Sequence, residues 1–435
     1  MTGLDHLLER RRGVLGRNAP LFYDRPVHLV RGSGVWVEDA DGRRYLDAYN
    51  NVPHVGHCHP HVVQAVARQA ATLNLHTRYL DGVVVDYAER LTARFADSLD
   101  TAVLTCSGSE SNELALRMAR FATGRRGLIV SDFSYHGNTA TLASLTTCFP
   151  VVEEFPASAR AVRVPDPRHD GAGLTEAELL ERYLGEVAEA VRSLEASGDG
   201  VGAILIDSFF ANEGLPDAVA GYVAGAVELV RAAGGLFICD EVQAGFGRTG
   251  DALWGHELAG VTPDLVTLGK PMGNGHPIAG VVAGNELVSA FQSAATYFNT
   301  FGGNPVSAAA GAAVLDVLDE EGLQANAHRV GAHLREGLAK LAARHEPLGD
   351  IRGRGLFVGV EIEHDGVPDA ARTAWLVNAM RDRGVLLSRI GRHDNVLKIR
   401  PPLVFATEHA DRLLDALDDA LDGVPDRASD GTGPW

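Results

Sequence analysis

Apolar positions along this chain change their rhythm near residue 60. Before it, apolar stretches are short and broken by Gly, Asp, Tyr and Trp, and the segment GVWVEDADGRRYLDA predicts two short strands joined at Asp41-Gly42. From Val62 the spacing becomes helical. Thereafter TAVLTC precedes NELALRMARFA, VGAILIDSF precedes GYVAGAVELVRAAG, and RGLIVSD, GGLFICDE and PDLVTLG supply further apolar runs of strand length. Strand and helix in alternation predict an α/β fold with a mostly parallel central sheet covered by helices.

A second pattern begins late in the chain. An Ala-dense helix is expected from about Asn304 to Leu318, followed by the amphipathic helix HRVGAHLREGLAKLAARH, a loop and strand in DIRGRGLFVGVEI, and a last helix ending near Leu421. These segments suit a smaller α+β domain built from both chain ends. The expected division is residues 1–61 and 325–423 for that domain, 62–324 for the large one, and a frayed tail over 424–435.

Composition narrows the class without naming a function. With 46% hydrophobic and 22% charged residues the chain reads as an ordinary globular protein, and a formal charge of -18 argues against nucleic acid. Cys58, Cys106, Cys148 and Cys239 are widely spaced with no CxxC pair, which suits a reducing compartment. The first residues, MTGLDHLLERRRG, lack a signal-peptide apolar stretch, and no apolar run approaches the ~20 residues that span a bilayer. A cytoplasmic protein with no membrane partner is the expectation.

Candidate chemistry sits at the ends of predicted strands, where open α/β sheets bind ligands. After TAVLTC, the stretch Ser107-Gly108-Ser109-Glu110-Ser111-Asn112 opens a helix whose N-terminus would favour a phosphate, although a plain Ser N-cap reads the same way. GGLFICDE ends in Asp240 and Glu241, a catalytic carboxylate or a structural one. PDLVTLG ends at Lys270, the only lysine between Met1 and Lys340; desolvated in a cleft, it would form Schiff bases. Together the three suit pyridoxal 5′-phosphate, with its phosphate, basic ring nitrogen and aldehyde.

These segments also carry a resemblance. GHCHP at 56–60, SGSESNELALRMAR at 107–120, SYHG at 134–137, DEVQAGFGRTG at 240–250, LGKPMGNGHP at 268–277 and FNTFGGNP at 298–305 resemble class III aminotransferases, fold type I pyridoxal phosphate enzymes, from about Leu21 to Leu421. The resemblance implies Lys270 as Schiff-base lysine and proton shuttle, Asp240 on the pyridine nitrogen, and Tyr135 and Val242 on the two ring faces. It further implies Gln243 near the ring hydroxyl, Ser107, Gly108, Ser109 and His136 around the cofactor, and Thr300 reaching it from the second subunit of a homodimer. The histidine-rich segment NNVPHVGHCHPHV matches a GHxHP pattern found in that family without metal; Pro53 and Pro60 break its spacing, and no carboxylate stands beside it, so no metal is expected.

Two fates of a small-molecule amine remain open. Transamination to a keto acid or aldehyde through Lys270 is the leading expectation, with elimination from a phosphorylated or otherwise activated amine as the alternative; a non-catalytic binding protein is remote. Within the family the segments around NNVPHVGHCHP, LHTRYLD and YFNTFGGNPVS are similar to the ethanolamine-phosphate and phosphohydroxylysine phospho-lyase branch. Asn50, Asn51 and Arg78 are candidates for a substrate phosphate, and Arg400 for a phosphate or carboxylate. Asp207 stands where the family usually has a Glu, and the following FFANEGLPD departs from the family pattern.

Overall fold

A computed structural model describes residues 3–425. The last ten residues of the expected frayed tail, 426–435, lie outside the described residues.

Seven strands form the central sheet, in the spatial order Thr101–Thr105, Ala279–Ala283, Leu265–Leu268, Leu236–Asp240, Val201–Ile206, Gly127–Ser131, Ala159–Val162. Only Ala279–Ala283 runs antiparallel to its neighbours. That strand, AGVVA, is fully buried, small and uniform, so no alternation in the sequence marks it. The parallel strands read as continuous apolar runs because helices cover both faces. One such helix, Gly108–Thr123, is capped by Ser107, whose hydroxyl accepts from Glu110 N, and ends at Gly124 with φ +67. Its Leu114, Ala115, Leu116, Met118 and Ala119 are buried against the sheet.

Chain ends meet on a second sheet. Trp36–Asp39 and Arg44–Asp47 form the expected hairpin, with Gly42 at φ +80 and the Asp39 carboxylate accepting from Asp41 N and Arg43 N. Val385–Leu386 then adds alongside Leu46 and Asp47 in parallel. A third, antiparallel sheet holds Leu348–Arg354, Phe357–His364, Val396–Ile399 and Ser388–Ile390. Here DIRGRGLFVGVEI forms a hairpin where the sequence suggested a loop and one strand. Gly353 and Gly355 take φ +105 and +53, the left-handed conformations that turn the chain back.

The Ala-dense helix spans Pro305–Glu320 with Asn304 as cap, and its small residues let it run through the largest core cluster. Gly311 marks the closest approach: a Cβ there would meet the Tyr87 ring at 2.5 Å. The following helices are Leu323–Ala342 and Thr407–Leu421.

Candidate active site

Three strand ends and one helix head converge on a cavity of about 210 Å³ lined by Gly108, Ser109, Asn112, Tyr135, His136, Gly137, Asp207, Asp240, Val242, Gln243 and Lys270. Side chains of successive residues alternate across a strand, so Asp240 faces this cavity and Glu241 the opposite side. Glu241 is consumed there by Gly255 N at 2.8 Å, His256 N at 2.8 Å and His256 Nδ1 at 3.0 Å.

The Asp240 side chain is held by a chain of oriented partners. Thr267 Oγ1 donates to Asn112 Oδ1 at 2.6 Å, which turns the Asn112 amide nitrogen toward Asp240 Oδ2 at 2.9 Å. His136 Nδ1 lies 2.8 Å from the same oxygen, and Val242 N donates to Oδ1 at 3.0 Å. His136 Nε2 is buried without a partner.

At the helix head the backbone is approachable because side chains are missing. A Cβ on Gly137 would meet Ser109 Oγ at 2.7 Å, and one on Gly108 would meet Val242 at 3.0 Å. Gly269, just before Lys270, passes close enough that its own Cβ would meet Gly108 N at 3.2 Å. The first amides of the helix have no intrahelical acceptor and suit an anion. An oriented buried carboxylate, an amine and an amide-lined cradle around one small cavity fit pyridoxal phosphate.

Lys270 opens into the cavity, so its own surface is exposed there, while protein surrounds it closely on the remaining sides. Burial, then the charge of Arg400, lowers its pKa; Asp240 and Asp207 oppose the shift. Filling the cavity would exclude the remaining solvent and strengthen each of these effects. Asp207 is pushed up to about 6 by burial and the Asp240 charge, even as it accepts from Phe209 N at 3.0 Å.

Behind Gln243 stands a wall the sequence did not single out. Lys398 Nζ lies 3.2 Å from Gln243 Oε1 and 3.4 Å from Ala211 O, and Arg400 donates to the same Gln243 oxygen. Both cations sit 5.5 Å from the Phe357 ring centroid, and Arg400 also lies 5.2 Å from that of Tyr49. They are 3% and 4% exposed. No ion pair among the described residues includes Lys270, Lys398 or Arg400, whereas the surface lysine Lys340 pairs with Glu336 at 2.7 Å. The facing loop is strained, with Phe210, Gly214 and Leu215 at φ +50, +103 and +58. It holds Glu213, whose Oε1 is 2.6 Å from Ser131 Oγ and whose pKa burial and Asp207 push up to about 8.

Of the expected cofactor residues, Gly108, Ser109, Tyr135, His136, Asp240, Val242, Gln243 and Lys270 line the cavity, and Ser107 caps the helix beneath it. Thr300, Arg78, Asn50, Asn51 and Arg400 do not line it, although Arg400 reaches Gln243, which does. Arg78 lies over the Phe298 ring at 3.8 Å. Asn50 spends its amide nitrogen on both Asp47 oxygens at 3.1 Å, and the buried Asn51 Nδ2 has no partner. The histidines disperse to separate partners: His54 to Phe246 O, His57 to Asp47, His59 to Glu321 and His61 to Asp316. Sequence reading missed Lys398, although a lysine in a chain with three, on the strand Val396–Ile399 and two positions before Arg400 just past its end, was a signal.

Comparison with known proteins agrees with this geometry. The aminotransferase class-III family model matches residues 22–421. A Drosophila melanogaster protein described as alanine–glyoxylate aminotransferase 2-like is 39% identical over 96% of this chain and 87% of its own. Among solved structures, a phospholyase from Arthrobacter in complex with phosphoethanolamine is 53% identical with a TM-score of 0.94, covering 96% of this chain and 100% of that one. The ornithine aminotransferase from Toxoplasma gondii, with partial occupancy of PLP at its active site, is 26% identical with a TM-score of 0.82, covering 97% and 94%. The cavity around Lys270 therefore belongs to a pyridoxal phosphate-dependent enzyme, and the chain is a member of the class III aminotransferase family.

Proposed function

We propose that the enzyme eliminates phosphate from a small phosphorylated amine of the phosphoethanolamine kind. This reverses the order of preference that sequence reading suggested. The observation that carries it is the pair Lys398 and Arg400, two buried basic side chains with no ion-paired carboxylate among the described residues, standing behind Gln243, which lines the Lys270 cavity. Asp207, Glu213 and Asp47 offset this charge only without direct pairing; buried charge without a paired partner is costly, and an anionic substrate group relieves it. The 53% identity to a phospholyase adds support.

Bound in the cavity, pyridoxal phosphate supplies an electron sink. Lys270, its pKa lowered, takes the proton from the amine-bearing carbon at Nζ, and Asp240 keeps the ring nitrogen charged. Tyr135 and Val242, which line the cavity, would enclose the ring, and Arg400, bonded to Gln243 at its side, would hold the anionic end of the substrate.

Transamination is favoured by one observation of its own: a 39% identical relative bears an aminotransferase name, and an amino-acid carboxylate would satisfy the same two cations. Amine supplied without a keto acid separates the readings. Elimination turns over repeatedly and releases phosphate and ammonia; transamination stops after one stoichiometric conversion of the cofactor to its amine form.

The partner in this reading is a second copy of the chain. Leu80, Phe301 and Tyr79 are 102%, 70% and 64% exposed and form, with Leu73, Leu75 and Phe298, an apolar face around Arg78 and Thr300. A homodimer covers that face and carries Arg78 and Thr300 toward the other cavity. Mixing inactive Lys270→Ala with Thr300→Ala subunits then restores partial activity in heterodimers; a monomer in sedimentation overturns it. No helix among the described residues is long and apolar enough to cross a membrane, and the cysteines are free, which suits a cytoplasmic enzyme.

A further inference from the structure

Arg352 is 4% exposed on the hairpin strand Leu348–Arg354, distant in sequence from the residues that line the cavity. Its guanidinium is divided between two tasks. Nη1 meets Asp350 Oδ2 at 3.1 Å and Glu361 Oε2 at 3.3 Å, while Nε donates sideways to Gly214 O at 2.9 Å. Glu361 has further partners in Asn395, at 3.1 Å, and His169 Nε2, at 3.0 Å. The bond to Gly214 is the one that leaves this network, and it ends on the strained loop at 207–215.

That loop leaves a strand of the central sheet but seats on the third one. Phe209 stacks on Phe357 with ring centroids 5.2 Å apart, Gly391 N donates to Asn212 O at 3.3 Å, and Leu215 packs with Phe357, Ile390 and Val396. At Gly214, with φ +103, a Cβ would meet Gly391 Cα at 3.3 Å and Arg352 Nη2 at 3.5 Å, so the guanidinium closes on bare backbone. The loop in turn aims a cavity residue. Asp207 Oδ1 accepts from Phe209 N at 3.0 Å and Oδ2 from Ala211 N at 3.3 Å, so both carboxyl oxygens follow the backbone of the loop. Asp207 lines the cavity, and with Asp240 it is one of the two carboxylates whose charge acts on Lys270.

We propose that Arg352 is a positioning residue: by holding Gly214 O it keeps the loop at 207–215 seated, and through the loop it sets the Asp207 carboxyl at the wall of the cofactor cavity. The inference rests on the cofactor site alone and holds for either fate of the amine. Phe210 and Leu215, at φ +50 and +58, show why a clamp is needed. Side chains hold such a backbone only where the surroundings over-determine it, and an unclamped loop relaxes and takes Asp207 with it.

A double-mutant cycle provides the test. Arg352→Met, Asp207→Asn, the two combined, and Arg352→Lys would each be read for the dissociation constant of pyridoxal phosphate, by titrating the cofactor-stripped full chain, and for kcat and thermal melting of the holoenzyme. Asp207→Asn is expected to raise the cofactor Kd and lower kcat by roughly tenfold each, Arg352→Met to do nearly the same, and the double variant to lose no more than either, because both remove one placement. Arg352→Lys separates placement from charge. Its ammonium still pairs with Glu361 and Asp350, so melting stays close to wild type, but it lacks the sideways donor, so Kd and kcat follow Arg352→Met. Recovery of Kd and kcat in Arg352→Lys, losses that multiply in the double variant, or unchanged Kd and kcat in Arg352→Met or Asp207→Asn overturn the inference and leave Arg352 a member of a structural ion network. If Arg352→Met does not fold, Gly214→Ala, which reshapes the loop with Arg352 and its carboxylates still present, replaces it in the cycle and decides by the same comparison.

Discussion

One cluster lines the cavity and another stands behind its Gln243 side, and the two solve opposite electrostatic problems. Around Asp240, the charge of one carboxylate is met in advance by Asn112, His136 and Val242 N, themselves oriented by Thr267. Around Lys398 and Arg400, two cations share one amide oxygen and backbone carbonyls. The first cluster is complete without a substrate, while the second is complete only with an anion. On the function proposed above, the difference divides the bound molecules: the cofactor would take the satisfied cluster and the substrate's charge the unsatisfied one.

The comparison can be broken in several places. Lys270→Ala, which removes the amine from the cavity, should lower turnover on the order of 10⁴-fold. Pyridoxal phosphate should remain partly bound through the helix head and Asp240, measured as cofactor retained after gel filtration. Should the variant keep normal turnover, the cavity is not where the reaction occurs. Arg400→Met acts on the unsatisfied cluster alone. KM for phosphorylated amines should rise about 10–100-fold, the equivalent of ~1.5–3 kcal/mol for a charge-assisted bond, while uncharged amines of similar size show little change.

Arg78→Ala sharpens the picture from the partner's side. Placed at an exposed rim over Phe298 in one chain, Arg78 should raise KM by roughly tenfold, and only in the dimer, because a rim charge is partly screened. An equal effect on substrates with and without phosphate would detach it from the anion site.

Glu213→Gln gives the smallest effect and concerns stability. The folded state holds the Glu213 proton up to about pH 8, well above the ordinary carboxylate range. The folded state therefore binds more protons than the unfolded one in that window. Its stabilising contribution is full below the ordinary carboxylate pKa and is lost as pH rises toward 8. Thermal melting of the cofactor-free protein should decline from pH 5 to 8, and Glu213→Gln should reduce that slope by roughly half, with Asp207, at about 6, supplying the remainder. Identical slopes would show that Glu213 is ionised already.

How much was legible depended on which physical signal each region carried. Strands buried on both faces announced themselves as apolar runs, and Asp240 and Lys270 stood out because a charged residue directly after such a run needs a reason. The antiparallel strand Ala279–Ala283 gave no such signal, being short, small and uniformly buried. The hairpin at Leu348–Arg354 was hidden by its glycines, which look like a loop until their left-handed φ is known. Asn50 looked available for a phosphate, but Asp47, buried three positions earlier, takes its amide.

The sequence alone determined the class of fold, the cofactor and the family, because each rests on local order: a strand, its terminal residue and the helix that follows are neighbours along the chain. Tertiary structure alone decided that residues 398 and 400 stand behind residue 243, that no carboxylate among the described residues forms an ion pair with them, and that a strained loop at 207–215 lies near the same space. Such facts are invisible in one dimension, since the charge a buried group feels depends on what the fold brings near it and on what it leaves out.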